Sequence, residues 1–334
     1  MTPRELTIEL PQLTLAAQSW GDPALPPLLA VHGWLDNAGS FSALAPLLAE
    51  RFHVVAIDLP GHGRSAHRPP GGWYHYVEYL ADLQATAAAL GWSRYSLLGH
   101  SLGGATASIF AAAQPEAIDR LLLIESLGPL TAAPEAALEQ LRRGLSQRAG
   151  FAAKSLRVFG ATAEAVRARM LANDLSEAAA TALVERGLAA VPGGWSWSSD
   201  ARLTLASPLR YTEAQIRNIL AGIAASTLVL LATPATSYLP DATMQARARP
   251  ACATSSCSIC PAIIICIWKM PRPWRRRYTR SAIGRAERRE DHRVALKKQC
   301  RRCGTASVSA RPSRGTTTPP SPRQQITFAS FSAM

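Results

Sequence analysis

The sequence predicts an α/β fold, a doubly wound and mostly parallel sheet with helices on both faces and a helical cap insertion. Short apolar runs that end in turn residues, as buried strands do, alternate with stretches of helical spacing. A Gly-x-Ser-x-Gly segment stands between one of these strands and the following helix. Such alternation is typical of a parallel sheet that is covered on both sides.

The predicted elements of the first 130 residues follow this alternation. Thr7–Leu15 alternates well enough for early strands, and a turn follows at Gly21–Pro23. Later elements are predicted, in chain order, as a strand at Leu28–Val31, a strand at Phe52–Ile57, a helix at Tyr76–Leu90, a strand at Tyr95–Leu98, a helix at Leu102–Ala113 and a strand at Leu121–Glu125.

A change of pattern marks an insertion between residues 131 and 215. Helical stretches such as Glu135–Arg148 and Ala163–Ala172 occur there without a clear strand, and Thr227–Ala232 then restores a strand. The predicted organisation is the first part of the core over 1–130, a helical cap over 131–215, the penultimate strand region of the core over 216–247, and a basic tail of irregular or disordered structure over 248–334.

The tail differs from the rest of the chain in composition. The net charge of the 334 residues is +13, but residues 1–247 contain 18 Lys and Arg against 20 Asp and Glu, whereas residues 248–334 contain 18 against 3. All six cysteines also follow residue 247. Two compositions therefore meet near residue 248, and the overall charge describes neither part.

The segment Gly99-His100-Ser101-Leu102-Gly103 fits the nucleophile motif G-x-S-x-G, in the strand-to-helix context that gives the motif its meaning. The serine must stand on a sharp turn for its hydroxyl to be exposed, and small residues at Gly99 and Gly103 let strand and helix approach each other. The helix start directs backbone N–H groups at developing negative charge. We therefore predict Ser101 as the nucleophile and the Leu102 N–H as one oxyanion donor.

The turn His32-Gly33-Trp34 follows an earlier predicted strand, and we expect its Trp34 N–H to be the second oxyanion donor. The Trp34 side chain could also form a wall of the pocket. The tight loop Asp58–Ser65 is interpreted as a structural turn in which Asp58 caps backbone N–H groups.

The segments His32–Phe41, Asp58–Ser65 and Gly99–Gly104 together resemble the α/β-hydrolase family, and most closely its serine hydrolase-like (Kraken-type) branch. The resemblance covers roughly residues 5–247. It implies an eight-stranded sheet, a helical cap over the site, no cofactor, and a Ser–acid–His triad in that chain order. The fold alone does not fix the reaction.

Two carboxylates are candidates for the acid of this triad. Family members commonly place it after the strand that follows the cap, but residues 232–237 contain no carboxylate and Asp241 comes only later. Some relatives place the acid one strand earlier, where Glu125 ends a predicted strand. We favour Glu125 over Asp241, although Glu125 could be a buried strand-end carboxylate and Asp241 a solvated helix cap.

No histidine is a convincing base. His292 is the only histidine after residue 247 and lies in a highly charged run. His100 adjoins Ser101 but normally lines the elbow in this motif, and His32 belongs to the oxyanion turn. A serine hydroxyl without an adjacent base is a weak nucleophile.

A one-base change of reading frame near residues 247–250 would explain the missing base. Trp268 and Met270 have single codons, so reading one base earlier turns Trp-Lys-Met into Leu/Met/Val-Glu-Asp/Asn. With C-rich codon choices, residues 257–274 then resemble the family's final strand and its G-x-H…E-x-P loop. The catalytic histidine is expected at the codon that now encodes Ile264.

The tail contains two patterns that this frame change explains without a function. The pairs Cys257/Cys260 and Cys300/Cys303 form a CxxC…CxxC pattern, but the 39 residues between them exceed the usual gap of about 15–20 in zinc sites. The basic cluster at 275–280 would bind polyanions only non-specifically. We therefore predict no metal site and no specific nucleic-acid partner.

The first function hypothesis is a hydrolase that acts on a small ester or a related acyl substrate. The second is a catalytically dead or crippled hydrolase fold that has lost its last strand, last helix and histidine. No signal peptide and no membrane-spanning run is recognised, so we expect a cytoplasmic protein without a membrane partner. The hydrolase hypothesis implies a small-molecule substrate. The sequence does not indicate the oligomeric state.

Overall fold

A computed structural model describes residues 1–151, 156–232, 240–254 and 257–262 of the chain. The strands are β1 (Arg4–Glu9), β2 (Thr14–Trp20), β3 (Pro27–Val31), β4 (His53–Ile57), β5 (Tyr95–His100), β6 (Ile118–Ile124), β7 (Val158–Phe159), β8 (Leu188–Val191), β9 (Gly194–Trp197), β10 (Ser226–Ala232) and β11 (Cys257–Ala262). The α-helices are α1 (Ala45–Leu48), α2 (Tyr76–Ala89), α3 (Leu102–Ala113), α4 (Ala137–Ala149), α5 (Thr162–Asn173), α6 (Glu177–Gly187), α7 (Glu213–Leu220) and α8 (Asp241–Thr254).

Eight strands form the central sheet in the order β1-β2-β4-β3-β5-β6-β10-β11. β2 pairs antiparallel with β1 and β4, and every other pair of neighbours is parallel. The prediction of a mostly parallel sheet is therefore confirmed. Because the carboxyl ends of parallel strands meet at one edge of a sheet, the segments that follow β3, β5 and β6 lie side by side there.

The apolar runs of the sequence form the central strands because helices cover both faces of the sheet. All five side chains of β4 are buried, as are the last four of β3. α3 is buried from Gly103 to Ala111, and its small residues allow close packing against the sheet. α7 begins inside the range predicted for the cap, but its Ile216 and Leu220 belong to the main core.

The cap is helical for most of its length, with α4, α5 and α6, and it also contains a small antiparallel sheet of order β7-β9-β8. The sequence does not predict this sheet because its strands have only two to four residues, too few to show a period of two. The hairpin between β8 and β9 turns at Gly193, whose φ of +88° suits glycine. Phe159, Ala165 and Val184 form the small core of the cap.

Regular structure continues past the change of composition near residue 248. α8 runs from Asp241 to Thr254, and its Met244, Arg247 and Ala248 are buried. β11 pairs in parallel with β10, although the sequence predicts an irregular tail there. An open sheet edge offers unpaired backbone groups to any extended segment, which accounts for this strand without an apolar pattern. Neither α8 nor any other described helix is long and apolar enough to span a membrane.

Candidate active site

Ser101 stands on the sharp turn between β5 and α3. Its φ of +50° and ψ of −114° lie in a region that residues with a side chain rarely adopt. The turn is held by the Ser101 N–H, which donates to the Ile124 carbonyl at 3.0 Å, and by the Ser101 carbonyl, which accepts from the Ala105 N–H at 2.9 Å. This is the strand–turn–helix context that the sequence motif predicts for an exposed hydroxyl.

Glycine is required on both sides of this turn. A Cβ on Gly103 would lie 2.1 Å from the Val31 carbonyl oxygen, and a Cβ on Gly99 would lie 2.5 Å from the Gly103 carbonyl oxygen. Both separations are shorter than any normal contact, so α3 can approach β3 and β5 only where side chains are absent.

Leu102 is the first residue of α3, and its N–H therefore has no acceptor within the helix. The aligned peptide groups of this 12-residue helix place a partial positive charge at the same end. The geometry thus offers the Leu102 N–H to an anion that forms next to Ser101.

Trp34 lies in a tight turn that directly follows β3. The turn is closed by the Asp36 N–H, which donates to the Gly33 carbonyl at 3.2 Å, and Leu35 has a positive φ of 58°. The indole N–H of Trp34 donates to the Leu203 carbonyl of the cap at 3.0 Å. The side chain of Trp34 therefore joins the turn to the cap, while its peptide N–H belongs to the turn that follows β3.

His32 is fully buried and uses both of its ring nitrogens in the fold. Nε2 accepts from the Leu59 N–H at 2.9 Å, so Nδ1 is the protonated nitrogen and donates to the Gly33 carbonyl at 2.7 Å. Burial lowers the pKa of His32 to about 4. A neutral ring with both nitrogens bound positions the oxyanion turn and has no free nitrogen to accept a proton from Ser101.

His100 is a ring directly before Ser101 with 12% of its side chain exposed. Burial lowers the pKa of His100, and the negative charges of Asp36 and Glu125 oppose this shift. Its Nδ1 has no hydrogen-bond partner, and the Asp36 Oδ2 atom is 3.8 Å away from it. His100 therefore lies beside the elbow and next to Asp36 of the turn after β3.

The two candidate acids occupy different positions. Glu125 directly follows β6 with a φ of +56°, and its N–H donates to the Leu230 carbonyl of β10 at 2.9 Å. Its charge acts on the adjacent elbow, since it raises the pKa of His100. Asp241 is the first residue of α8, and its side chain lies outside the described part of the structure. The structure thus brings Glu125, directly after the strand next to β5, to the same sheet edge as Ser101.

The position predicted for the catalytic histidine, Ile264, lies outside the described residues, as does His292. Within the described ranges, no histidine side chain hydrogen-bonds to Ser101. Cys300 and Cys303 also lie outside them, and in the ranges that are described no three His, Cys, Asp or Glu side chains are grouped to hold a metal ion.

The loop after β4 is built around Asp58, which is fully buried. Its carboxylate accepts from the N–H groups of Ala38 at 2.7 Å and Arg64 at 2.8 Å, in agreement with the structural interpretation of this loop. It also accepts from the guanidinium of Arg186 on α6 at 2.9 Å, and Arg186 further binds Glu5. This buried network ties the cap to the core.

Sequence reasoning missed the cap residues that reach the oxyanion turn. Arg169 of α5 forms an ion pair with Asp36, and the side-chain amide of Asn37 donates to the Leu183 carbonyl of α6 at 2.8 Å. The partners are more than 130 residues apart in the chain, so no local pattern indicates them.

Comparison with known proteins gives consistent matches. A family model described as alpha/beta hydrolase fold matches residues 26–219. A serine hydrolase-like protein of Danio rerio is 35% identical over 246 residues, which cover 71% of this chain and 75% of the relative. The crystal structure of a hypothetical protein from Pseudomonas aeruginosa PAO1 is similar with a TM-score of 0.72 and 40% identity, over 77% of this chain and 90% of the other. A thioesterase domain from the curacin biosynthetic pathway matches with a TM-score of 0.67 and 28% identity, over 78% of this chain and 93% of the other.

Proposed function

Because the chain belongs to the alpha/beta hydrolase fold family, we propose that it is a serine hydrolase of a small ester or a related acyl substrate, with Ser101 as the nucleophile. Family membership and the serine hydrolase-like relative support a hydrolase. The single observation that supports the nucleophile is the backbone of Ser101, which has a φ of +50° on a turn that only flanking glycines permit.

In the proposed reaction, the Ser101 hydroxyl oxygen attacks the substrate carbonyl carbon while its proton passes to a histidine base. The N–H groups of Leu102 and Trp34 hold the resulting oxyanion, and collapse of the intermediate expels the leaving group, which takes the proton from the histidine. Water then releases the acyl group from Ser101 by the same steps. Glu125 would orient the histidine, which we expect at the codon that now encodes Ile264.

The nature of the substrate is proposed from the relatives and from the cap. A thioesterase domain is among the structural neighbours, which favours an acyl group bound through oxygen or sulfur. The cap packs tightly on the segment after the oxyanion turn, since a Cβ on Gly39 would lie 2.6 Å from the Ala182 carbonyl oxygen of α6. Such a close cap favours a small substrate over a polymer.

The second candidate is a hydrolase fold with crippled catalysis, and one observation favours it. Within the described residues, no histidine side chain hydrogen-bonds to Ser101, and both ring nitrogens of His32 are bound elsewhere in the fold. The triad residues act as a unit, and loss of the base costs about 10⁶ in rate in a serine protease. On this hypothesis, the change of frame near residues 247–250 removes activity from an otherwise complete site.

A fluorophosphonate probe separates the two candidates. The present chain, its Ser101→Ala variant and a chain translated one base earlier after codon 247 would be incubated with the probe side by side. Labelling of the present chain, lost in Ser101→Ala, supports the active hydrolase. Labelling of the frame-restored chain alone supports the crippled one, and absence of Ser101-dependent labelling in both chains contradicts the assignment of the nucleophile.

Sequencing the DNA across codons 245–252 tests the change of frame itself. A missing or additional base relative to an independent clone supports the change of frame. An identical sequence in independent clones would show that the gene encodes residues 248–334 in their present frame.

A further inference from the structure

Three different elements of the cap contact side chains of the oxyanion turn, taken here as the segment from Gly33 to Asn37. The contacts are those of the Trp34 indole N–H with the Leu203 carbonyl at 3.0 Å, of the Asp36 carboxylate with the Arg169 guanidinium, and of the Asn37 amide with the Leu183 carbonyl at 2.8 Å. The cap therefore contacts the turn that is proposed to donate to the oxyanion.

The pair of Asp36 and Arg169 differs from the other two contacts in charge and burial. Both side chains are largely buried, with 13% of Asp36 and 12% of Arg169 exposed. Attraction between opposite charges is stronger away from water than at an exposed surface. Arg169 belongs to α5, so the ion pair with Asp36 links this helix to the turn.

Asp36 also lies between the turn and the elbow. Its own N–H closes the turn on the Gly33 carbonyl at 3.2 Å, while its second carboxylate oxygen faces His100 Nδ1 at 3.8 Å. His100 directly precedes Ser101. A shift of Asp36 would therefore move the turn relative to the nucleophile.

The turn needs an external restraint because its backbone is unfavourable. Leu35 has a φ of +58°, and such residues persist only where the surroundings hold them. Asp36 is the neighbour of Leu35, and Arg169 is the cation that holds the Asp36 side chain.

We propose that Arg169 is a positioning residue that acts through Asp36 to hold the oxyanion turn against the nucleophile elbow. The position of the cap and the quality of the oxyanion site are thereby coupled. The inference rests on the proposed function for the role of the turn, but the restraint on the turn exists whether or not the chain turns over substrate.

Hydrogen–deuterium exchange of the full chain tests the restraint directly, with a peptide that covers residues 33–38. Arg169→Met removes the charge, Arg169→Lys retains it, and Arg167→Met is the matched control because Arg167 is exposed on the same helix. We expect faster exchange of the Asp36 amide in Arg169→Met, recovery in Arg169→Lys and no change in Arg167→Met. Unchanged exchange in Arg169→Met, or an equal change in Arg167→Met, would overturn the proposal.

The kinetics of fluorophosphonate labelling provide a second readout in whichever chain is labelled. Loss of positioning should lower the first-order rate constant of labelling about tenfold, less than the loss of a whole oxyanion donor, with little effect on the half-saturating probe concentration. A change confined to the half-saturating concentration would mean that Arg169 binds the ligand, and it would overturn the positioning role. Complete absence of labelling contradicts the proposed function alone, since the exchange experiment still decides the restraint.

Discussion

The backbone N–H of Ser101 donates to the carbonyl of Ile124 with an N–O distance of 3.0 Å. Glu125 follows Ile124 directly, so this contact, which continues the parallel register of β5 and β6, places the proposed nucleophile and the favoured acid at the same edge of the sheet. Ser101 and Glu125 both have positive φ angles. The backbone of these two residues therefore positions the proposed site.

Replacement of Ser101 by glycine should stabilise the fold relative to Ser101→Ala. Relief of a strained backbone is worth about 1–3 kcal/mol, and the greater freedom of glycine in the unfolded chain costs about 0.4–1 kcal/mol. We expect the free energy of unfolding of Ser101→Gly to exceed that of Ser101→Ala by about 1 kcal/mol in urea titrations. Equal or lower stability of the glycine variant would show that the turn is not strained.

Replacement of Gly103 by alanine should destabilise the fold strongly. The new Cβ would lie 2.1 Å from the Val31 carbonyl oxygen, so α3 must move away from β3. We expect a loss of at least about 2 kcal/mol in the free energy of unfolding. Gly150→Ala is the control, because among the described residues the nearest atom to its Cβ would be the Ser146 carbonyl oxygen at 3.7 Å. A similar loss in both variants would contradict the close approach.

Removal of the guanidinium of Arg186 should leave a buried charge without its partner. Asp58 is fully buried, and only 3% of Arg186 is exposed. Loss of one member of such a pair typically costs about 3–5 kcal/mol, which we expect for Arg186→Met in denaturant titrations. Arg210→Met, at an exposed position, should change stability by less than about 0.5 kcal/mol. An equal change in the free energy of unfolding for Arg186→Met and Arg210→Met would contradict a stabilising role for the pair of Asp58 and Arg186.

The contact between α7 and α8 should make stability depend on pH in the acid range. Hydrogen bonds from the buried Arg247 lower the pKa of Glu213 below its ordinary value of 4.5. A carboxylate with a lowered pKa stabilises the fold above pH 4.5, and this contribution is lost as the pH falls through the folded value.

Urea titrations between about pH 7 and about pH 3 measure this contribution as the difference between the chain and Glu213→Gln. The difference should shrink on acidification. A difference that is constant with pH would show that the pair does not titrate as proposed.

The sequence predicts the core better than the contacts between cap and core. Buried strands such as β4 appear as apolar runs because both faces are covered, and Gly99 and Gly103 appear in the motif because the turn tolerates no side chain there. The pairs Asp36–Arg169 and Asp58–Arg186 join positions 133 and 128 residues apart, and no local pattern encodes them.

The choice of acid and the boundary of the tail show the same limit. Glu125 and Asp241 both follow predicted strands in the sequence, and it is the pairing of β5 with β6 that brings Glu125 beside the elbow. β11 has no alternation, but it completes a sheet edge that β10 leaves open, which is a property of the assembled sheet.

Mapping of the fluorophosphonate adduct by tandem mass spectrometry tests the central claim most directly. The present chain and the frame-restored chain are both treated with the probe. In whichever of the two is labelled, we expect one adduct on the peptide that spans β5 and α3, with the added mass on Ser101. An adduct on a different serine of that chain, or the same adduct yield after Ser101→Ala, would contradict the account.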